Sequence, residues 1–320
     1  MLTEVLLPLK LRTVDTVDAA QWQELIELDP FAHALHEPGV TRILADALPG
    51  ARARWLEAVD DEGRLLAALP LIVRGRYGLL HVVSGASGLY GGPVALPGQG
   101  EACDLVAQAF LRHGGLRTVR RELVWAPVDP PQGSWPGLRR LQTSVLGLPA
   151  DVDFDHWYEQ SLRPARRKER RRLHRHGYRT HAAEGAQFLA AFHEIYTERS
   201  LGWGSEPLPR ESLESLLDSG PAWRGFVAHD ADDALVGAHI CIDLGNELFA
   251  WLGTARRVEP GSIATLLIEE ELRWCHEHGR CRLNLGTSAG LAGVSDFKQG
   301  ISATDDPRWI LRWQRGRGHC

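Results

Sequence analysis

The chain has 320 residues, of which 44% are hydrophobic and 24% charged, and its formal net charge at pH 7 is −5. This is the composition of a folded globular protein long enough for two domains, and it excludes collagen-like and low-complexity chains. The slightly acidic balance excludes a polycation that would bind nucleic acid or anionic lipid with its whole surface. Five cysteines without a C-x-x-C pair predict neither a disulfide framework nor a zinc site, so no metal is expected.

No targeting or membrane-spanning segment is expected. The N-terminal segment MLTEVLLPLKLRT lacks a basic region followed by an apolar run. Nowhere do the about 18 consecutive apolar residues of a transmembrane helix occur. The sequence therefore predicts a cytoplasmic protein without a transmembrane segment.

The first half of the chain predicts helices and strands around a glycine-rich loop. Apolar residues recur there at helical or alternating spacing. The helices are predicted near 19–29, 38–48 and 101–113, and the strands at 51–59, 64–73, 78–84 and 121–126. The loop GASGLYGGP, at 85–93, follows the third strand.

The second half repeats this order. Helices are predicted near 154–176, 184–200, 210–219 and 263–278, and strands at 224–230, 234–243 and 247–253. A polar loop at 255–262 precedes the last of these helices, and a short strand at 281–286 follows it.

A constant offset of 170 residues relates the two halves. It aligns four identical pairs: Ala58 with Ala228, Asp60 with Asp230, Leu65 with Leu235, and Ala68 with Ala238. The aspartates belong to acidic segments between two strands, as expected at the tip of a hairpin. We therefore predict a mixed α/β (α+β) fold built from two copies of one unit, at 1–149 and 150–320. The alternative is a chance similarity between common strand–strand–helix patterns.

The segment 162–179 is the most polarised of the chain, with nine Lys and Arg residues and a single Glu. Such a helix attracts phosphates, which arginine binds through two parallel hydrogen bonds. Arg166, Arg167 and Arg170 are therefore candidate substrate-binding residues. The alternative is a solvated charged helix anchored by Leu162 and Leu173.

The loop before the helix at 263–278 is a candidate anion site. Arg256 and Arg257 precede Gly261 and Ser262, and the free N–H groups at a helix N-terminus favour phosphate. These four residues are the candidate cofactor-binding residues, although the glycine follows Arg257 later than in a coenzyme A loop. The alternative is an ordinary helix start with Ser262 as the N-cap.

Lysine is rare in this chain, with only three among 36 basic residues. Lys298 follows Phe297 after a glycine-rich loop that contains Ser288. A compact ammonium stabilises a developing oxyanion or titrates more readily than a guanidinium does. The alternative is an exposed lysine on a surface turn.

Four segments, in this order, resemble the FemAB family and the related acyltransferases named after cellulose-biosynthesis acetyltransferases. They are YGGPV at 90–94, WYEQSLRPARRKERRRLHRHGYR at 157–179, LFAWLGT at 248–254, and LNLGTSAGLAGVSDFKQGIS at 283–302 before RWILRW. The resemblance extends from about residue 30 to residue 313. It implies two tandem GNAT-like domains, each with a mixed central sheet flanked by helices.

The resemblance also implies an enzyme that transfers an aminoacyl group from aminoacyl-tRNA to an amine of a peptidoglycan precursor. Phe297 and Lys298 match the family's Phe-Lys pair, in which the lysine stabilises charge on the ester carbonyl. No tightly bound cofactor is implied, and the expected partners are tRNA and the precursor or another amine. Peripheral contact with the inner membrane stays open.

Two other functions remain open from the residues alone. One is an acyl-CoA-dependent N-acetyltransferase that acts on an envelope or small-molecule amine, and the other is a non-enzymatic module that binds nucleic acid through 163–179. Tyr90, Trp251 and Ser288 are candidate substrate contacts from their places in loops and at a strand end. His33, His36 and Arg42 are candidates for the acceptor's phosphate, and no sequence spacing indicates a catalytic base.

Overall fold

The computed structural model describes residues 9–125, 135, 137–202, 204–259, 261–288 and 292–315. They form two compact units of mixed α/β structure, which confirms the predicted fold class. The first unit comprises Met1–Leu141 and Pro307–Cys320, and the second comprises Gln142–Asp306. The division differs from the predicted ranges 1–149 and 150–320 because the last strand belongs to the first unit.

The first part of the chain contains six strands and three α-helices within the described residues. Their order is β1 (Lys10–Val14), α1 (Ala19–Leu28), α2 (Pro38–Asp46), β2 (Ala51–Val59), β3 (Leu65–Arg76), β4 (Leu79–Ser84), β5 (Val94–Ala95), α3 (Gly100–Arg112) and β6 (Thr118–Trp125).

The remaining described residues add seven strands and six α-helices. They are β7 (Leu138–Gly147), α4 (Phe154–Ser161), α5 (Pro164–Arg175), β8 (Arg179–Ala182), α6 (Leu189–Gly202), α7 (Arg210–Asp218), β9 (Trp223–His229), β10 (Leu235–Asp243), β11 (Glu247–Ala255), α8 (Ala264–Glu277), β12 (Arg282–Asn284), α9 (Ala292–Gly300) and β13 (Thr304–Gln314). The helix predicted at 154–176 is two helices because Pro164 begins the second one, where a proline needs no N–H donor.

The same topology is built in each unit. In the first, β1 to β4 form an antiparallel series, β6 lies parallel to β4, and β13 pairs antiparallel with β6. In the second, β8 to β11 form the antiparallel series, β12 lies parallel to β11, and β7 pairs antiparallel with β12. The strand that follows β6 in sequence thus completes the second unit, and the strand that follows β12 completes the first.

The predicted repeat is visible at single residues in the two hairpins. The Asp60 side chain accepts hydrogen bonds from the N–H groups of Glu62 and Arg64, at 3.0 and 2.9 Å. The Asp230 side chain accepts from Asp232 and Ala234 at the same two distances. Both aspartates stabilise a tight turn by replacing backbone partners that the turn lacks.

Each unit has a hydrophobic core of its own. Trp22 and Trp55 pack edge to face in the first, with ring centroids 6.3 Å apart. In the second, the core lies between the sheet and α8, which contributes Leu266, Leu267 and Leu272. Among the described residues, no helix has the length and apolar character that crossing a membrane requires.

Candidate active site

In the second unit, strands β11 and β12 pair along only part of the length of β11. Strand β12 pairs only with Glu247–Phe249 of β11, whereas β11 continues to Ala255 and keeps β10 on its other side. No described strand covers the edge beyond Phe249. A free strand edge offers backbone N–H and C=O groups to an extended ligand.

A cavity of about 610 Å³ lies at the end of β11 and the start of α8. All four candidate cofactor-binding residues line it, namely Arg256, Arg257, Gly261 and Ser262. Arg199 of α6 and His239 of β10 complete its polar lining together with Glu259 and Thr254. The structure therefore brings the predicted cofactor residues together and adds a third arginine.

The arginines of this cavity form no ion pairs within the described part of the chain. Arg256 and Arg257 are exposed, and Arg199 donates only to the Ala255 carbonyl, at 3.3 Å. Glu259 also lines the cavity, and among the described residues it pairs with none of the three. Three guanidinium groups without carboxylate partners attract an anion, and phosphate fits their geometry.

The start of α8 is already occupied by a carboxylate of α5. Glu169 accepts a hydrogen bond from the Ser262 N–H at 2.8 Å and from the Thr265 hydroxyl at 3.1 Å. The Ser262 N–H is therefore not free for a phosphate, and the helix begins after Ile263 without a side-chain cap, so Ser262 is not the N-cap. A Cβ on Gly261 would lie 2.4 Å from Glu169 Cγ, which explains the glycine.

On one face of α5, ion pairs bind the helix to α8 and join two of its own residues. Arg170 binds both carboxylate oxygens of Glu269, at 2.6 and 2.5 Å, and Arg166 binds Glu169 at 2.6 Å. Burial alone would raise the pKa of Glu269, but the hydrogen bonds and charges of Arg170 and His174 lower it to about 2. Arg166 and Arg170 thus bind carboxylates of the protein itself, whereas the sequence predicts that they bind substrate phosphates.

The opposite face of α5 remains cationic. A cavity of about 430 Å³ on this face is lined by Pro164, Arg167, Lys168, Arg171 and Arg175. We name this set the outer basic face; one of its members, Arg171, also pairs with Glu159. Leu162 and Leu173 are buried and anchor the helix, as the alternative interpretation predicts. Of the three candidate arginines, Arg167 alone lies on the outer basic face.

Lys298 lies inside the protein. Its residue is 6% exposed, and Nζ donates to the Gly286 carbonyl at 2.8 Å. The alternative of an exposed surface lysine is therefore wrong. The Phe297 ring lies under Arg166, with 4.7 Å between the guanidinium carbon and the ring centroid. Neither residue lines the 610 Å³ cavity, but Phe297 connects to it through Arg166, Glu169 and Ser262.

Burial lowers the pKa of Lys298 from 10.5 to about 8. Between these values the unfolded chain binds more protons than the folded one, so stability rises with pH. We expect the unfolding free energy of the wild type to increase relative to that of Lys298→Met as pH rises from 8 towards 10.5. Urea unfolding of both proteins across this range measures the difference, and parallel curves would show that the ammonium is not desolvated.

The other candidate contacts lie apart from the cavity. Tyr90 is buried in the first unit, where it lines a small cavity with Leu35 and Thr41. In the second unit, Trp251 packs edge to face against Trp223 at 5.6 Å, and Ser288 is half-buried in the loop after β12. Residues 289–291 of that loop lie outside the described residues.

Two of the three candidates for an acceptor phosphate in the first unit, the histidines, carry little charge. Burial lowers the pKa of His36 to about 4, and burial with the charge of His36 lowers that of His33 well below its ordinary value. Neutral imidazoles do not attract phosphate by charge. Arg42 lies over the Trp55 ring, 5.2 Å from its centroid.

Sequence reasoning missed a buried histidine–glutamate pair at the cavity. His239 Nδ1 lies 2.5 Å from Glu271 Oε1, and the side chains are 12% and 0% exposed. The residues come from β10 and α8, 32 positions apart, so no local spacing connects them. The available signal was a histidine in the apolar strand LVGAHICID and a glutamate on the buried face of α8.

Comparison with known proteins agrees with this fold. Residues 160–299 match the family model described as an acetyltransferase (GNAT) domain, and this region contains the cavity, α5 and Lys298. The match assigns residues 160–299 to a GNAT domain, which is an acyltransferase domain. The predicted enzyme class is thus confirmed, and the non-enzymatic alternative is not supported.

Three solved structures are similar in fold over most of this chain. The crystal structure of FemX has a TM-score of 0.62 at 10% identity, and the alignment covers 94% of this chain and 97% of that one. L-PGS from Bacillus licheniformis has a TM-score of 0.57 at 16% identity, with 94% and 92% covered.

The third is a tandem GNAT protein from the clavulanic acid biosynthesis pathway, with a TM-score of 0.54 at 15% identity and 97% and 100% covered. At such identities these similarities establish the fold, and the predicted tandem GNAT-like architecture is confirmed. No curated protein sequence matches the chain.

Proposed function

We propose that the second unit transfers an aminoacyl group from aminoacyl-tRNA to an amine, with an amine of a peptidoglycan precursor as the acceptor. The observation that carries this proposal is the cationic character of two surfaces of the same unit. Arg199, Arg256 and Arg257 line the cavity, and the outer basic face of α5 adds four cations.

The cavity suits the end of a donor that carries phosphate. Its arginines have no carboxylate partners among the described residues, and the free edge of β11 adjoins them. An extended acyl-bearing segment can bind along that edge, while its phosphates bind the guanidinium groups. Both aminoacyl-tRNA and acyl-CoA possess these chemical features.

The outer basic face favours RNA over a nucleotide-sized donor. Three arginines of the cavity suffice for the phosphates of one coenzyme A, and the inward face of α5 is already neutralised by Glu169 and Glu269. Of the four cations on the opposite face, only Arg171 has an ion-pair partner among the described residues, so the others favour an anionic partner that extends beyond the cavity. A folded RNA provides such a surface.

Salt dependence of tRNA binding tests the role of the outer basic face. For the variant in which Arg167, Lys168, Arg171 and Arg175 are all changed to Ala, we expect a shallower dependence of log affinity on log salt concentration. The slope should fall by about 0.9 for each duplex phosphate that the variant no longer neutralises. Fluorescence titration of alanyl-tRNA at several salt concentrations measures both slopes.

The matched control removes the same charge from exposed arginines of the first unit, by changing Arg52, Arg112, Arg117 and Arg139 to Ala. We expect this control to bind tRNA with the wild-type slope. A wild-type slope in the outer-face variant as well would remove α5 from the RNA interface.

A second candidate is transfer from acyl-CoA, because the matched family model describes an acetyltransferase domain. Titrations with acetyl-CoA and with alanyl-tRNA separate the two donors. Saturable acetyl-CoA binding that is weakened by Arg256→Ala, with no binding of charged tRNA, would replace the first proposal by the second.

A further inference from the structure

The buried carboxylate of Glu271 determines which nitrogen of His239 carries a proton. Glu271 Oε1 lies 2.5 Å from Nδ1, and its other oxygen has no hydrogen-bond partner among the described residues. A carboxylate accepts hydrogen bonds, so the neutral imidazole places its proton on Nδ1. The lone pair of the ring is then on Nε2.

His239 Nε2 lies at the cavity, beside Gly253. His239 lies directly opposite Gly253 in the pairing of β10 with β11, and both residues line the cavity. A Cβ on Gly253 would lie 2.7 Å from Nε2 and 2.5 Å from Cδ2. The glycine therefore makes room for the imidazole ring at this place in the cavity.

The charges around His239 suit a proton acceptor. Glu271 stabilises the imidazolium once it forms. The neighbouring Cys241 thiol donates to Glu271 at 3.4 Å, and burial followed by the charge of Glu271 raises its pKa well above the ordinary value, so it remains a neutral donor.

We propose that His239 is a catalytic residue whose Nε2 accepts the proton of the acceptor amine, and that Glu271 is its positioning residue. This inference rests on the proposed function. As the amine nitrogen bonds to the acyl carbon, its proton passes to Nε2. The bond from that carbon to the donor oxygen, or to sulfur in a thioester, then breaks, and the leaving atom takes the proton from the imidazolium.

The first test needs no turnover. Long-range ¹H–¹⁵N spectra of the full chain labelled with ¹⁵N-histidine identify the tautomer of each ring, and His239→Gln assigns the His239 signals. We expect the Nδ1–H tautomer at neutral pH in the wild type and loss of that preference in Glu271→Gln. An Nε2–H tautomer in the wild type would overturn the proposal, because Nε2 would then have no lone pair for a proton.

The second test measures transfer from alanyl-tRNA or acetyl-CoA to UDP-MurNAc-pentapeptide or free lysine. His239→Ala should lower kcat/KM by at least about 100-fold while the donor Kd stays within about twofold. Added imidazole should restore part of the rate in His239→Ala, whereas Glu271→Gln should lower kcat with little change in KM and should not respond to imidazole.

His229→Ala is the matched control, because His229 lies on the neighbouring strand β9 and does not line the cavity. Wild-type transfer in His239→Ala, or loss in His229→Ala equal to that in His239→Ala, would overturn the role of His239. If the wild type binds neither donor, the proposed function fails, and the tautomer measurement still supports or overturns the proton acceptor.

Discussion

Arg170→Ala is expected to lower the free energy of unfolding by about 3–5 kcal/mol, because it leaves a buried carboxylate without its partner. Glu269 has a side chain only 8% exposed and receives two hydrogen bonds from Arg170, at 2.6 and 2.5 Å. The other side chains near this carboxylate, His174 at 3.5 Å and Arg273 at 3.7 Å, lie too far to replace both bonds. Urea unfolding at pH 7 measures the loss.

Two variants separate an unpaired carboxylate from a general effect on α5. Arg167→Ala removes a cation from the outer basic face and should change stability by no more than about 0.5 kcal/mol. The double variant Arg170→Met with Glu269→Leu removes both charges and should recover most of the loss. Equal unfolding free energies of Arg170→Ala and Arg167→Ala would show that Arg170 is not needed to neutralise Glu269. Arg170 could then bind substrate, as the sequence predicts.

Local patterns were sufficient for most of the elements. The strand predicted at 51–59 is β2 without change, and the helices at 19–29, 210–219 and 263–278 differ from the structure by one or two residues at their ends. The offset of 170 residues predicts the shared hairpin, in which Asp60 and Asp230 make the same bonds. These features depend on contacts close in sequence.

The missed features depend on contacts distant in sequence. Strands β1, β7 and β8 were not predicted, because the partner strand decides their pairing and their own residues are largely polar. The exchange of β7 and β13 between the two units has no signature in either segment. The sequence placed the boundary near 150, whereas the pairing places Pro307 onward in the first unit.

The candidate site was predicted in part for the same reason. Arg256 and Arg257 are near Gly261 in the chain, so one loop brings them to one cavity. The side chains of Arg166 and Arg170 are oriented by their ion pairs with Glu169 and with Glu269 of α8. Helix periodicity alone does not reveal these pairs. The pairing of His239 with Glu271 requires the sheet and α8 to pack together.

Because the family resemblance makes Lys298 the group that stabilises charge on the ester carbonyl, Lys298→Met is expected to lower the rate of transfer by about 10²–10³-fold, the loss typical of removing one such group. The methionine retains the length of the side chain but cannot donate to the Gly286 carbonyl, which Lys298 Nζ binds at 2.8 Å. It also avoids the cost of a buried ammonium, whose pKa burial lowers to about 8, so the loss of stability should be small. Donor binding and single-turnover rates measured on one preparation separate binding from chemistry.

Lys298→Ala and Lys298→Arg determine which property of the lysine matters. Alanine also removes buried methylene groups, so the unfolding free energy of Lys298→Ala should be lower than that of Lys298→Met. An exposed lysine would produce no such loss of stability. Arginine retains the charge in a space that fits a compact ammonium, and it should restore little activity because its planar group cannot replace Nζ at Gly286. Full transfer activity in Lys298→Met would show that Lys298 does not take part in the chemistry and has only a structural role at Gly286. Full transfer activity in Lys298→Arg alone would show that any cation at this position suffices.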